Sequence, residues 1–258
     1  MTTRVLAIPA GVANVFAVPA VDGLTLVDTG APGALPRLRA ALRRHGFGFG
    51  DVRRVFVTHA HVDHVGSLAA LLEACEARVL VHALDAPFVR DGRNPPFADP
   101  ASLGWAERWM QRIDTGTAPA ARIDHEVVDG EPLDAVAPGA RVVHLGGHTP
   151  GQAGLWLPDR RFLIAGDVAL HLVPGRLSLP FAAFTSDMAQ AVASVARAAD
   201  LQPLGLGLGH GPPLRSGAAL RLRRLAQRHA ARLTPSASTP PSAWVDGNAD
   251  GPTGRPRS

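Results

Sequence analysis

The feature that most constrains this chain is residues 59–64, which read His-Ala-His-Val-Asp-His. Burying three imidazoles and a carboxylate so close together costs free energy unless each finds a partner, and a divalent cation can serve as a common partner. Residues 54–58, just before, are rich in valine and predict a short strand. The candidate ligands therefore follow a strand end, where functional groups are commonly displayed. A solvated, histidine-rich turn is the alternative interpretation.

Three further candidate ligands occur later in the chain in a similar setting. His148, Asp167 and His210 each follow a short apolar run that contains glycine, which predicts a strand leading into a loop. The glycines of residues 205–209 also look like a nucleotide-binding loop. Such a loop must open a helix at once, whereas Pro212 and its neighbouring proline follow here, so the nucleotide interpretation is disfavoured.

Taken in order, these motifs resemble the metallo-β-lactamase fold superfamily. The matching stretches are Asp28-Thr29-Gly30, residues 58–64, Gly147-His148-Thr149-Pro150-Gly151, Gly166-Asp167 and Gly209-His210-Gly211. They cover roughly residues 1–212, and as a set they are specific although each alone would be weak. The resemblance implies an α/β (α+β) fold, a four-layered αββα sandwich, with a metal centre at one edge between its two halves.

The resemblance also assigns roles to the matched residues. It implies two divalent metal ions, zinc in the first place, with iron or manganese as alternatives. The implied ligands are His59, His61 and His148 for the first metal, Asp63, His64 and His210 for the second, and Asp167 as a bridge between the two. A hydroxide that bridges the metals would be the nucleophile, and Asp63 would also orient it and move its proton. Asp28 is expected to hold the loop or a ligand imidazole in place.

Asp167, which the resemblance implies as the bridging residue, limits the classes of reaction that are expected. Some zinc β-lactamases carry a cysteine at the position of Asp167, whereas glyoxalase II and the acyl-homoserine lactonases share the aspartate. The chain therefore resembles the glyoxalase II and lactonase branch, which implies a metal-dependent hydrolase of an ester, thioester or lactone of a small acyl substrate. His171 is a candidate catalytic residue in addition to Asp63. The chain has no tyrosine to assist the substrate carbonyl, and His171 could take that role.

Departures from the branch keep other functions open. Glyoxalase II binds glutathione through lysine and tyrosine side chains, and this chain contains neither. The alternatives are an iron-dependent persulfide dioxygenase, a β-lactamase-type amide hydrolase and a metal-binding module without catalysis. The last is disfavoured because a buried set of unpaired imidazoles and carboxylates has no structural advantage over an apolar core.

Basic charge is concentrated near the C-terminal end of the chain. Residues 1–214 contain 18 arginines and 20 acidic side chains, whereas residues 215–258 contain 8 arginines and 2 aspartates. A nucleic-acid site needs positive charge along the functional face, so a small-molecule partner is expected and no nucleic acid. Pro9, Gly11 and Pro19 interrupt the apolar N-terminal residues, which predicts no signal peptide, no membrane partner and a cytoplasmic protein.

The chain predicts one hydrolase domain over residues 1–232 and a disordered tail over residues 233–258, which are rich in proline, serine and glycine. Predicted strands cover residues 5–8, 14–18, 24–27, 54–58 and 78–82, and predicted helices cover residues 35–44, 66–77, 186–199 and 214–232. Residues 91–118 are either an apolar lid over the metals or part of the core.

The expected substrate is largely hydrophobic. Candidate walls of its pocket are Trp105, Trp109, Phe181 and Phe184. No lysine is present to bind a carboxylate or phosphate as a point charge. Arginine could bind at most one anionic group of the substrate, and Arg90, Arg93 and Arg176 lie in or beside these segments.

Overall fold

The computed structural model describes residues 4–113 and 115–230. They form two β-sheets packed face to face, a short hairpin, and helices that cover the outer faces. The strands of the first sheet, in spatial order, are β1 (Leu6–Pro9), β2 (Asn14–Ala20), β3 (Gly23–Val27), β4 (Val52–Val57), β5 (Arg78–His82) and β6 (His125–Val127). From β1 to β3 the strands are antiparallel, and from β3 to β6 they are parallel.

The second sheet comes from the later half of the chain. Its strands, in spatial order, are β12 (Gly205–Gly207), β9 (Phe162–Ile164), β8 (Ala153–Leu157) and β7 (Arg141–His144). Strands β7, β8 and β9 are antiparallel, whereas β9 and β12 are parallel. The hairpin of β10 (Leu170–Val173) and β11 (Arg176–Ser178) lies between β9 and β12 in the chain.

The helices complete the outer layers. They are α1 (Leu35–Arg44), α2 (Val62–Val65), α3 (Leu68–Leu72), α4 (Ala86–Asp91), α5 (Trp105–Gln111), α6 (Met188–Asp200) and α7 (Ala218–Ala230). Leu38 and Leu42 of α1 are fully buried in the core of the first half, and burying such a side chain stabilises a fold by roughly 1.5–3 kcal/mol. Helices α6 and α7 pack against each other and against the second sheet through residues such as Val195 and Leu222.

Alternation along the strands shows the order of the layers. In β4, Val55 and Val57 belong to the cluster under α1, and Phe56 between them belongs to the cluster between the sheets. In β9, Leu163 faces the α6 and α7 side, and Ile164 faces the first sheet. Because successive side chains of a strand point to opposite faces, both sheets are buried on both faces. The fold is the four-layered αββα sandwich that the sequence predicted.

Two predicted helices have different bounds in the structure. The helix predicted over residues 66–77 is only α3, and Gly66 before it lies so close to Pro32 that a Cβ on the glycine would be 2.3 Å from Pro32 Cδ. The helix predicted from residue 214 begins at residue 218, because Leu214 is extended and bridges to Leu206.

The C-terminal part of the predicted domain reaches beyond the described residues. The end at residue 232 and the tail over residues 233–258 lie outside them, so the domain boundary stays a prediction. Within residues 4–113 and 115–230, none of the helices combines the length and the apolar character needed to cross a bilayer.

Candidate metal centre

The histidine-rich segment follows the carboxyl end of β4, which is an interior strand of the first sheet. The chain leaves β4 at Thr58 and enters α2, a single turn whose N-cap is His61. The main-chain oxygen of His64 accepts hydrogen bonds from the N–H groups of Thr29 (2.8 Å) and Gly30 (3.1 Å). These bonds fasten the segment to the loop after β3, so the first half of the site is held from two neighbouring strands.

The second half of the sandwich contributes His148, Asp167 and His210, from the loops that follow β7, β9 and β12. Since β9 and β12 are parallel neighbours, Asp167 and His210 leave the second sheet at the same edge. Gly209 makes the close approach feasible, because a Cβ there would lie 2.0 Å from Asp167 Oδ1 and 2.5 Å from His64 Cε1.

The structure brings all seven sequence-predicted ligands together. Their ligand atoms form three groups, within each of which the atoms lie within 4.8 Å of one another: His59, His61 and His148; His59, His64 and Asp167; Asp63, His64 and His210. The first and third groups coincide with the two ligand sets that the family resemblance implied. The ligand role of each residue stays a prediction.

The polar atoms at the centre of these groups fit a metal ion. The Nε2 atoms of His59, His61, His64 and His148, together with Asp167 Oδ1, are buried and have no hydrogen-bond partner. Leaving a buried polar atom unpaired costs about 1–3 kcal/mol. A cluster of imidazole nitrogens and carboxylate oxygens that face each other without protein partners has the donor set that zinc, iron or manganese accepts.

Hydrogen bonds at the outer edge of the cluster orient two of the imidazoles. Asp28 Oδ2 lies 2.8 Å from His64 Nδ1 and accepts the hydroxyl hydrogen of Thr58 at 2.7 Å, while Asp28 Oδ1 accepts from the Thr58 N–H at 2.7 Å. Thr58 Oγ1 in turn lies 3.0 Å from His59 Nδ1. Each Nδ1 is therefore engaged, which turns Nε2 toward the cluster, where a metal would lie. Asp28 holds both the loop and an imidazole, as the sequence predicted.

His148 and His210 are oriented in the same way by contacts that the sequence did not indicate. His148 Nδ1 lies 3.1 Å from Thr185 Oγ1, whose hydroxyl donates to the carbonyl of Phe181 at 2.8 Å. His210 Nδ1 lies 2.9 Å from the main-chain oxygen of Val12. Thr185 is 37 and Val12 is 198 residues away from its imidazole in the sequence. No local pattern could have revealed these pairs.

Electrostatics divides the cluster into two halves. Burial is the main cause that lowers the pKa of His59, His61 and His148, the last to about 4, so these imidazoles are neutral. Burial also opposes a proton on the other two, but nearby carboxylates outweigh it. They raise the pKa of His64 to about 9 and that of His210 to about 11.

The carboxylates that raise both pKa values are those of Asp63 and Asp167, and Asp28 also contributes at His64. Burial alone would raise the pKa of both carboxyls, but His64 and His210 lower it below the ordinary value. His210 Nε2 lies 3.2 Å from an oxygen of each. This half of the cluster is thus a pair of ionised carboxylates that requires positive charge between them, as a cation would supply.

His171, predicted to be catalytic, has a different role in the structure. Its Nδ1 lies 2.6 Å from the carbonyl oxygen of Pro212, and its Nε2 accepts the N–H of Gly175 at 3.1 Å. The main-chain N–H of His171 donates to the carbonyl of His210 at 3.1 Å. Because both ring nitrogens are used, the ring is not free to polarise a substrate carbonyl, and the geometry assigns His171 to bracing the His210 loop.

A cavity of about 520 Å³ opens onto the candidate ligands. Its polar wall is formed by His61, Asp63, His148, Asp167 and His210, and its apolar wall includes Phe97, Leu170, Leu172, Phe181 and Phe184. Among the described residues that line it there is no arginine, so the predicted contact from an arginine is not found there. A larger cavity of about 660 Å³, lined by Arg4, His45, Arg160 and Arg215, contains none of the candidate ligands.

The segment over residues 91–118 forms part of this cavity, but not through its tryptophans. Phe97 and the residues around Gly116 line the wall. Trp105 and Trp109, on α5, are 81% and 65% exposed and are not among the lining residues. The expectation that both tryptophans are pocket walls was wrong, whereas Phe181 and Phe184 do line the cavity.

Comparison with known proteins gives a family match over most of the chain. Residues 8–210 match the model described as the metallo-beta-lactamase superfamily. The probable metallo-hydrolase YflN of Bacillus subtilis is 29% identical over 204 residues, which are 73% of this chain and 75% of YflN. A hydroxyacylglutathione hydrolase of Rhodobacter capsulatus is 28% identical over 184 residues, and the match covers 71% of this chain but only 55% of that relative.

Solved structures agree on the fold. The metallo-beta-lactamase family protein TTHA1429 of Thermus thermophilus superposes with a TM-score of 0.66 and 25% identity, over 89% of this chain and 80% of that one. TTHA1623 in a di-iron-bound form superposes with a TM-score of 0.59 and 27% identity, over 85% of this chain and 98% of that one.

Proposed function

The chain belongs to the metallo-beta-lactamase superfamily, and from that premise we propose that it is a metal-dependent hydrolase that cleaves an ester, thioester or lactone of a small, largely hydrophobic acyl compound. The observation that carries the proposal is the set of buried, unpartnered imidazole and carboxylate atoms, because three of the residues that supply them, His61, His148 and Asp167, line the cavity. Such atoms have no structural value by themselves, so their position beside a cavity supports chemistry.

The residues would act as follows. His59, His61 and His148 would hold one metal ion, Asp63, His64 and His210 the other, and Asp167 would contact both. When bound, such ions lower the pKa of water and polarise a carbonyl oxygen. Asp63 lines the cavity and lies 3.2 Å from His210 Nε2, so its carboxylate is placed to orient a nucleophile and to pass a proton to the leaving group.

The cavity wall supports a hydrophobic acyl group. Phe97 lies with its ring 5.5 Å from that of His61 and 5.7 Å from that of Phe184, so an aromatic surface runs directly up to the ligand cluster. The match to a hydroxyacylglutathione hydrolase supports a thioester among the candidate substrates. The lysine and tyrosine that such enzymes use for glutathione are missing here, so we propose a less polar thiol or alcohol portion.

A panel of p-nitrophenyl esters, acyl thioesters and acyl-homoserine lactones, each in a series of acyl lengths, tests this proposal. We expect kcat/KM to be measurable in at least one class and to rise with acyl length. If the metal-loaded protein turned over none of these substrates, the proposed function would be contradicted. Oxygen consumption with a glutathione persulfide, measured in parallel on iron-loaded protein, would instead support an iron-dependent persulfide dioxygenase.

A further inference from the structure

Asp85 is a buried carboxylate outside the ligand cluster. It lies between β5 and α4, is fully inaccessible to solvent and occupies the N-cap position of α4. Its oxygens accept three hydrogen bonds: from the Ala60 N–H at 3.0 Å, from the Thr149 hydroxyl at 2.7 Å and from the Gly151 N–H at 2.6 Å. Burial raises the pKa of Asp85, and these three donors oppose the rise by stabilising the ionised form.

The donors belong to the two loops that carry one predicted ligand set. Ala60 separates His59 from His61, and Thr149 directly follows His148. The two loops lie in different halves of the chain, since Asp85 is 25 residues from Ala60 and 64 residues from Thr149. A single carboxylate therefore connects both of the loops that must meet to form the His59, His61 and His148 site.

Close packing adds to the hydrogen bonds between Asp85 and the loop after His148. A Cβ on Gly151 would lie 2.4 Å from the Asp85 nitrogen and 2.8 Å from the Asp85 Cβ, so the His148 loop is pressed directly against this residue. The loop after His148 has no room to move toward β5, and the hydrogen bonds prevent it from moving away. The distance between His148 and the first-half imidazoles is thereby set by Asp85.

We propose that Asp85 is a positioning residue for the His59, His61 and His148 half of the centre and sets how tightly that half binds its cation. The inference rests on the proposed metal-dependent function. Among the described residues, the donors to the Asp85 carboxylate do not include Asp63, His64 or His210, so the other half should be affected little. Partners outside the ligand set commonly change metal affinity by 10–100-fold when they are removed.

The substitution Asp85→Asn tests the proposal because it keeps the size of the side chain. The amide nitrogen must face at least one of the three donors, which leaves that donor unpaired and displaces one loop. Asp134→Asn is the matched control, since its Oδ1 also accepts a main-chain N–H, from Gly139 at 2.8 Å, at an exposed position away from the cluster. Thr149→Val removes only one of the three donors to Asp85, and it takes the place of Asp85→Asn in the experiment if that variant does not fold.

The measurement is the release of bound zinc to a competing chelator, followed in full-length protein together with the melting temperature of the metal-free form. We expect Asp85→Asn to release one metal at a chelator activity 10–100-fold lower than wild type does, with the other unchanged, and Thr149→Val to show a smaller shift in the same direction. Asp134→Asn should match wild type.

Three results distinguish the possible failures. Unchanged release in Asp85→Asn, while wild type holds two metals, would overturn the inference and leave the proposed function standing. Equal weakening of both metals, in step with a lower melting temperature of the metal-free protein, would show that Asp85 only stabilises the fold. A wild-type protein that binds no metal would contradict the proposed function itself.

Discussion

Within the described part of the chain, each predicted imidazole ligand except His61 has a hydrogen-bond partner for its Nδ1 atom, and these partners come from very different parts of the sequence. Asp28 serves His64, Thr58 serves His59, and Thr185 serves His148. Engaging Nδ1 holds Nε2 directed at the cluster before any metal arrives. The centre is therefore preorganised, and little side-chain entropy remains to be lost on metal binding.

A histidine outside the cluster gives a prediction on pH. His82 is buried and stacked on His144, with ring centroids 4.4 Å apart, and burial lowers its pKa to about 4, an effect to which His144 adds. Between pH 6.5 and pH 4 the unfolded chain binds a proton at this position and the folded chain does not. The contribution of His82 to stability is therefore complete above about pH 6.5 and is lost as the pH falls toward 4.

Urea unfolding of metal-free wild type and His82→Asn at pH 7 and pH 4.5 measures this contribution. The asparagine can still accept the Leu84 N–H that His82 Nδ1 accepts at 3.3 Å. We expect the free energy of unfolding to fall less in the variant over this range, by on the order of 2 kcal/mol. An equal fall in both proteins would show that His82 is not the group responsible.

Two segments form the aromatic wall of the cavity: Phe97 lies before α5, and Phe181 and Phe184 lie after β11. Helix α5 itself exposes its tryptophans to solvent. Phe97→Ala should therefore reduce the gain in kcat/KM with acyl length, because each methylene buried against this wall is worth roughly 0.8 kcal/mol. Trp105→Ala is the matched control and should leave the acyl-length profile unchanged, since Trp105 is exposed. If Trp105→Ala changed the acyl-length profile and Phe97→Ala did not, α5 would be shown to close over the substrate.

The sequence predicted some elements well and others poorly, for identifiable reasons. The strand at residues 78–82 agrees with the structure because its continuous apolar run is typical of a buried strand, and helix α1 agrees because its leucines recur at helical spacing. The predicted starts of α3 and α7 were too early, since contacts with Pro32 and Leu206 override the local pattern. Helix α3 also ends at Leu72, before the predicted residue 77. The tryptophans of α5 suggested a pocket wall because spacing alone does not reveal which face of a helix is covered.

Across the whole molecule, the centre joins the two halves of the sandwich. The candidate ligands could be named from local motifs, since three imidazoles and a carboxylate in six residues are informative wherever they fold. The roles of Asp85, Thr185 and Val12 could not be predicted, because they depend on contacts between segments far apart in the chain. His171 illustrates the same limit: proximity to Asp167 in sequence suggested catalysis, but the tertiary contacts use its ring for bracing.

Truncation tests the predicted domain boundary. Removal of residues 233–258 should change neither kcat/KM nor the melting temperature measurably, because the segment is rich in proline, serine and glycine and every predicted ligand lies before it. The full-length protein, purified in parallel, is the control. A loss of bound metal or a large drop in melting temperature in the truncated protein would place part of the tail within the folded domain.

The account depends on the metal centre, and the most direct test is the metal content of the purified protein measured alongside its hydrolysis of an active acyl substrate. We expect about two equivalents of a transition metal per chain, loss of hydrolysis when a chelator removes them, and recovery when zinc, iron or manganese is restored. A folded protein that contains no transition metal, or one that hydrolyses the substrate equally well after the metal is removed, would contradict the account.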